Sequence, residues 1–159
     1  MQIRRARTED AAFLAEQMKA VANEGRWLAT EGDRPVEDLS ERFRSAMAEG
    51  HILFALEADG DIVGAIGIHP TEVAGVHSLG MFIRREFRGQ GSGRRLVNEA
   101  LDAAREASIR KIVLEVFPDN GPAVALYASS GFEIEGYKRD HYPRTDGSLR
   151  SAILMARFL

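Results

Sequence analysis

Apolar residues first recur at Ala11, Leu14, Met18 and Val21, a spacing that gathers them on one face of a helix. Thr8 stands ahead of this run as an N-cap, Glu9 and Asp10 suit its first turn, and Asn23 and Gly25 end it. A second helical run, Leu39, Phe43, Ala46 and Met47, follows Pro35 and stops at Gly50. Trp27 and Leu28 fall in the loop between the two, where Trp27 reads as a buried anchor or, alternatively, as a wall of the substrate pocket. The pattern then becomes strand-like. His51 to Glu57 and Asp61 to His69 predict two strands joined at Asp59-Gly60, a hairpin signal, and Val76 to Ile83 completes a meander. Helical spacing returns at Leu96, Val97, Ala100, Leu101 and Ala104, within a helix from about Gly91 to Ala107. Lys111 to Phe117 predicts a strand. A short helix follows, capped near Asp119 or Asn120 and ended by Gly131. Strands over about Phe132 to Asp140 and Leu149 to Phe158 close the chain around Asp146-Gly147. With a first strand over Gln2 to Ala6, the predicted order is β-α-α-β-β-β-α-β-α-β-β, an α/β chain without repeats or linkers.

Composition narrows the class. A chain of 159 residues, 45% hydrophobic and 28% charged, reads as one domain with a sizeable core. No apolar run approaches the roughly 20 residues of a membrane span, and the charged start Met1-Gln2-Ile3-Arg4-Arg5 predicts no secretory signal. The absence of cysteine removes disulfides, thiolate metal sites and a Cys nucleophile, and fits a cytoplasmic protein. The four histidines lack metal-ligand spacing, so no metal is expected. A net charge of -3 argues against a nucleic-acid binder. Locally, however, Arg84, Arg85, Arg88, Arg94 and Arg95 are opposed only by Glu86, a basic patch suited to a small polyanion.

That patch surrounds Arg88-Gly89-Gln90-Gly91-Ser92-Gly93, which joins the strand-like Leu79-Gly80-Met81-Phe82-Ile83 to the helix-like run from Arg94. A glycine-rich turn feeding a helix aims several backbone N–H groups at one point, where the helix dipole also favours an anion. No Gly-Lys-Ser/Thr ending follows, which excludes the nucleotide-hydrolase P-loop. The glycine spacing and its mid-chain position also exclude the dinucleotide fingerprint. Downstream, Leu114 to Tyr127 carries a strand, an Asn at 120 and a short helix with Leu126-Tyr127, and Gly131-Phe132 opens the next strand.

Together, Arg-x-x-Gly-x-Gly and this second segment resemble the two motifs of the GNAT superfamily of acetyl-CoA-dependent N-acetyltransferases, in order and across essentially the whole chain. The resemblance implies a single domain over residues 1–159. Its fold would be a mixed sheet of about seven strands flanked by about four helices and splayed between the fourth and fifth strands. It implies acetyl-CoA as cosubstrate. The backbone of Met81, Phe82 and Ile83 would pair with the pantetheine arm, beside a bulge that Gly80 would permit. The turn Arg88, Gly89, Gln90, Gly91, Ser92, Gly93 and Arg94 would hold the pyrophosphate, and Asn120 would contact the arm.

Tyr127 matches the position of the family's catalytic tyrosine and is the candidate general acid for the departing sulfur. Glu115 is the candidate general base: it shares a strand face with Val113 and Phe117, and apolar neighbours would raise its pKa. Water, His69, His77 and Glu72 are alternatives for that role. The acceptor is a primary amine, first a small amine or amino acid, and alternatively a protein N-terminus. Its pocket would draw on Asn23 to Pro35 and Lys138 to Ser148, where Arg26, Arg139 or Arg144 could bind a carboxylate. A closed loop at Asn23 to Pro35 would favour the small amine and an open groove the protein N-terminus. A non-catalytic acyl-CoA sensor is the reading from another class. Nucleic acid and membrane are not expected partners, and the resemblance makes a homodimer an open possibility.

Overall fold

Strand alternation in the computed structural model, which describes residues 1–159, divides one central sheet into two differently covered faces. The strands are β1 (Gln2–Arg5), β2 (Ile52–Ala58), β3 (Asp61–Pro70), β4 (Val76–Ile83), β5 (Lys111–Val116), β6 (Glu133–Pro143) and β7 (Leu149–Phe158). The helices are α1 (Ala11–Ala22), α2 (Val36–Ala48), α3 (Ser92–Glu106) and α4 (Gly121–Ser129). On one face Ile66 and Ile68 of β3 and Ile112 and Leu114 of β5 pack against Leu96, Val97 and Leu101 of α3 and Tyr127 of α4. On the other, Leu53, Ala55, Ala65 and Phe82 meet Leu14 and Val21 of α1, with Phe43 and Met47 of α2 at the margin. Burying both faces in this way is the α/β solution expected of a sheet in which β2 and β3 are buried over nearly their whole length.

The sheet order is β1-β2-β3-β4-β5-β7-β6. All neighbours are antiparallel except β4 and β5, which α3 connects as a parallel crossover. That pair is short: Val76, His77 and Ser78 face Lys111, Ile112 and Val113, and no further rung forms. Beyond it β5 continues on β7 as far as Val116, while Leu79 to Ile83 pair with β3 alone. The two strands therefore splay, and one edge of β4 is left without a strand partner. The register of β3 on β4 runs without a shift from Gly64↔Ile83 to Pro70↔His77, so the bulge expected at Gly80 is not there. Splay alone frees the edge.

The start of the first helix also differs from expectation. Thr8 does not cap it; a 3-10 turn over Thr8–Asp10 precedes α1. The buried Asp10 accepts a hydrogen bond from the Arg7 N–H at 2.7 Å and forms an ion pair with Arg4 of β1 at 2.7 Å. The carboxylate satisfies the orphan amide and ties the helix to the sheet at once. At α4 the expectation holds: Asn120 is the N-cap, its side-chain oxygen accepting from the Ala123 N–H at 3.3 Å.

Candidate active site

The splay opens into a cleft of about 1670 Å³ that runs from the glycine-rich turn and α4 to α2 and the α1–α2 loop. Of the residues expected to hold acetyl-CoA or act as acid and base, all but Gln90 and Ser92 line it; of the alternatives only His69 does, and Arg26, Glu72, His77, Arg139 and Arg144 lie outside it. Gln90 turns its amide to the Glu86 carbonyl, and Ser92 is buried with its hydroxyl against the Met1 sulfur. Both contribute backbone to the turn and no side chain to the cleft.

The turn has the conformation an anion cradle needs. Gly91 is the N-cap of α3 with φ +79°, and Gly89 has φ +73°. These are left-handed conformations that L side chains resist. A Cβ at Gly91 would meet nothing within 4 Å, so it would project into open space at the cleft. The first N–H to find an intrahelical acceptor is that of Arg95, on the Gly91 carbonyl at 3.2 Å. The amides ahead of it have no carbonyl to reach within the helix, and Gly91 has no side chain to cap them. Gly93 answers a different demand: a Cβ there would lie 3.0 Å from Leu126, so its absence lets α3 and α4 approach. These features fit a pyrophosphate, and the free edge of β4 fits an extended arm beside it.

The arginines around the turn are not equally free. Arg94 reaches Ser129 of α4 at 2.7 Å. Arg88 donates to the Ile83 carbonyl at 2.7 Å and to both carboxylate oxygens of Glu24 at 2.8 and 2.6 Å. Its guanidinium therefore ties the turn to the end of α1.

Tyr127 is buried on α4, its ring edge-on to Phe132 at a centroid distance of 5.7 Å. Burial pushes its phenol well above the ordinary value, with no hydrogen-bonding partner contributing. The group is a reservoir for one proton, held at the cleft wall.

Glu115 overturns one expectation. Its carboxylate accepts hydrogen bonds from Lys138 at 2.6 Å and Tyr142 at 2.7 Å, both on β6. Burial acts to raise its pKa, but these two partners outweigh burial and hold it below the usual carboxylate range. Burial and Glu115 together push Tyr142 up to about 12. Period-two reasoning placed Glu115 correctly but could not see the neighbour two strands away that supplies Lys138 and Tyr142.

Three features have partners that the sequence did not show. Arg144 was considered for a substrate carboxylate. It is instead buried, paired with Glu31 at 2.8 Å, and donates to the Leu28 and Ala29 carbonyls at 3.3 and 3.1 Å. It latches the β6–β7 hairpin to the α1–α2 loop. Trp27 is anchored, its indole N–H donating to Glu24 at 2.6 Å, yet it also lines the cleft, so anchor and wall are the same residue. Finally, His51 and His69, 18 residues apart in sequence, meet in the cleft with their Nδ1 atoms 3.0 Å apart. Their location at paired ends of β2 and β3 was the available signal.

A sheet splayed between parallel central strands, with a glycine-rich helix entrance beside the opening, is the arrangement that the resemblance to the acetyl-CoA-dependent N-acetyltransferases implies. The profile of the Acetyltransferase (GNAT) family matches residues 16–132, and the chain belongs to that family. It is an acetyl-CoA-dependent N-acetyltransferase. The chain is 31% identical over 114 residues to the [Ribosomal protein bS18]-alanine N-acetyltransferase of Escherichia coli, covering 72% of this chain and 76% of that one. It is 35% identical over 116 residues to the N-alpha-acetyltransferase RimI of Mycobacterium tuberculosis, covering 70% of each. Among solved structures it is similar to a GNAT-family acetyltransferase from Streptococcus pneumoniae, with a TM-score of 0.88, 25% identity and 99% of each chain covered. No helix is long and apolar enough to cross a membrane.

Proposed function

We propose that residues 1–159 form one catalytic unit that acetylates a small primary amine or amino acid by direct attack in a ternary complex. The backbone of Gly89, Gln90, Gly91, Ser92, Gly93 and Arg94 would hold the pyrophosphate of acetyl-CoA. Met81, Phe82 and Ile83 would hold the pantetheine arm along the free edge of β4, with Asn120 beside it. Tyr127 is the general acid: a phenol kept protonated by burial can deliver its proton to a departing thiolate. Glu115, held ionised by Lys138 and Tyr142, is a weak base and better suited to attracting an ammonium into the cleft.

The latch carries the choice of acceptor. Arg144, Glu31 and Thr145 join the α1–α2 loop to the β6–β7 hairpin, and Arg150 adds a hydrogen bond to the Arg26 carbonyl at 3.0 Å. A loop fixed in this way favours the small amine over a protein chain. The second reading, acetylation of a protein N-terminus, is supported by the two relatives that carry that activity in their names. Thiol release from acetyl-CoA, measured across amino acids, polyamines and N-terminal peptides, decides between them. Release with small amines alone supports the first reading, and release with peptides alone supports the second. Acetyl-CoA binding in calorimetry without release from any of these would point to an acceptor outside the panel or to a sensor, and Tyr127 would lose its catalytic role until an acceptor was found.

A further inference from the structure

The reaction needs a neutral amine, and an ionised Glu115 is poorly placed to produce one. His69 is better placed. It ends β3 on the face that carries Gly67, and a Cβ at Gly67 would lie 2.7 Å from its Nε2. The imidazole therefore lies over Gly67, which can only be glycine while the ring is there. Gly67 pairs directly with Gly80 of β4, and Gly80 is one of the residues on the freed edge. A Cβ at Gly80 would meet nothing within 4 Å, and both glycines line the cleft. Adjacent strands are about 4.8 Å apart, so His69 Nε2 stands about one strand spacing from Gly80 of β4, whose far edge borders the slot.

With both imidazoles neutral, the hydrogen bonds behind His69 select its tautomer. Its Nδ1 is 3.0 Å from His51 Nδ1, so one nitrogen must donate and the other accept. His51 Nε2 lies 3.2 Å from the Glu49 carboxylate, which can only accept. His51 thus carries its proton on Nε2 and offers a bare Nδ1. His69 must then donate from Nδ1, and its Nε2 is left as a free lone pair. Glu49, His51 and His69 all line the cleft.

We propose that His69 Nε2 is the general base that deprotonates the acceptor ammonium, with His51 and Glu49 as positioning residues that hold its tautomer and steady the charge it gains. The inference rests on the acetyl-transfer reading above. One proton passes from the substrate ammonium to His69. The amine lone pair forms the new C–N bond, the C–S bond breaks, and the sulfur takes the proton of Tyr127. The nitrogen, now bonded to the acyl carbon, loses its second proton through water to the Tyr127 phenolate, and His69 gives its proton to water, for a net release of one proton.

The charged and titratable groups facing the pair are Arg42 of α2, Glu49 before β2 and, across the slot on the same face, Glu115 of β5; His77 of β4, on the opposite face of the sheet, feels the charge of His51. Burial, His51 and Arg42 all lower the His69 pKa, which keeps the imidazole neutral at physiological pH.

Two measurements test this on the full chain. Long-range 15N–1H NMR of the histidine-labelled protein should show the His69 proton on Nδ1 and the His51 proton on Nε2. A proton on His69 Nε2 would overturn the relay whatever the acceptor. With the acceptor that gives the fastest thiol release among glycine, L-alanine, spermidine and an N-terminal alanyl peptide, H69Q should lower kcat by about 10²-fold. It should also flatten the acid limb of the pH profile while leaving the acetyl-CoA KM unchanged. H51F should shift that limb with a smaller loss in kcat. An H69Q protein that keeps both kcat and the acid limb overturns the proposal. Absence of release with all four acceptors would instead overturn the acceptor classes proposed above, and the catalytic step built on them.

Discussion

Arg88, at the head of the glycine-rich turn, is bound by both carboxylate oxygens of Glu24 at the end of α1. The cofactor cradle and the acceptor-side loop thus share one ion pair. Arg88 also holds the Glu24 carboxyl below the usual range. An anion this close to the cradle opposes a second anion, so E24Q should tighten CoA binding several-fold, equivalent to about 1 kcal/mol at a half-exposed site. Calorimetry with CoA checks this. Weaker binding in E24Q would mean that Glu24 serves to aim Arg88 at the ligand.

Gly91 separates binding from folding. A valine at φ +79° costs about 1–2 kcal/mol of backbone strain but meets no neighbouring atom. G91V should therefore fold, melt a few degrees lower, and lose CoA affinity because its side chain fills the cradle. Full CoA affinity in a folded G91V protein would place the pyrophosphate elsewhere.

Tyr127→Phe removes one oxygen from a buried ring that otherwise packs against Phe132. The hydroxyl has no partner within the protein to lose, so stability should change by less than about 1 kcal/mol. The turnover number should fall by about 10²-fold, the usual scale of a general acid, with CoA affinity unchanged. Single-turnover thiol release at saturating acetyl-CoA gives the answer, and an undiminished rate would remove Tyr127 from the mechanism.

Period and punctuation made the fold readable. The limits of β4 and β7 agree with the hydrophobic pattern at both ends, and the glycine turn announced the start of α3. Asn120 was legible as a cap because capping is local chemistry. What could not be read depends on pairs remote in sequence. The charge state of Glu115 is set from β6, the role of Arg144 from Glu31, and the tautomer of His69 from His51. The bulge inferred at Gly80 failed for a related reason: the glycine serves an open floor rather than a kink, and no local signal separates those uses.

Asp10 predicts the acid limit of stability. The Arg4 hydrogen bond lowers its pKa from about 3.8, against the opposing effect of burial. A depressed carboxylate contributes stability that is fully present above its unfolded pKa and lost as pH falls through the folded one. Urea unfolding should therefore give a steady free energy above about pH 5 that declines below about pH 4. D10N should lose about 3 kcal/mol at neutral pH, the low end for a broken buried pair, because Arg4 keeps Glu57. It should also show a shallower acid decline. An identical acid slope in D10N would assign that slope to other carboxylates.

The latch between Arg144 and Glu31 should control acceptor size. Arg144 has one side-chain nitrogen buried without a partner, so its position is dictated by the loop it grips rather than by its own complete satisfaction. Loss of the grip should let the α1–α2 loop swing from the hairpin and open the cleft sideways. E31Q is the mild test, since a glutamine oxygen can still accept from the Thr145 N–H while the ion pair is lost. R144A is the severe one. The ratio of kcat/KM for an N-terminal peptide to that for a small amine should rise a few-fold in E31Q. In R144A it should rise about tenfold, equivalent to about 1.4 kcal/mol of discrimination. If thiol-release assays show the same ratio in all three proteins, the latch is a structural tie only. The choice between small amine and protein N-terminus would then lie along α2.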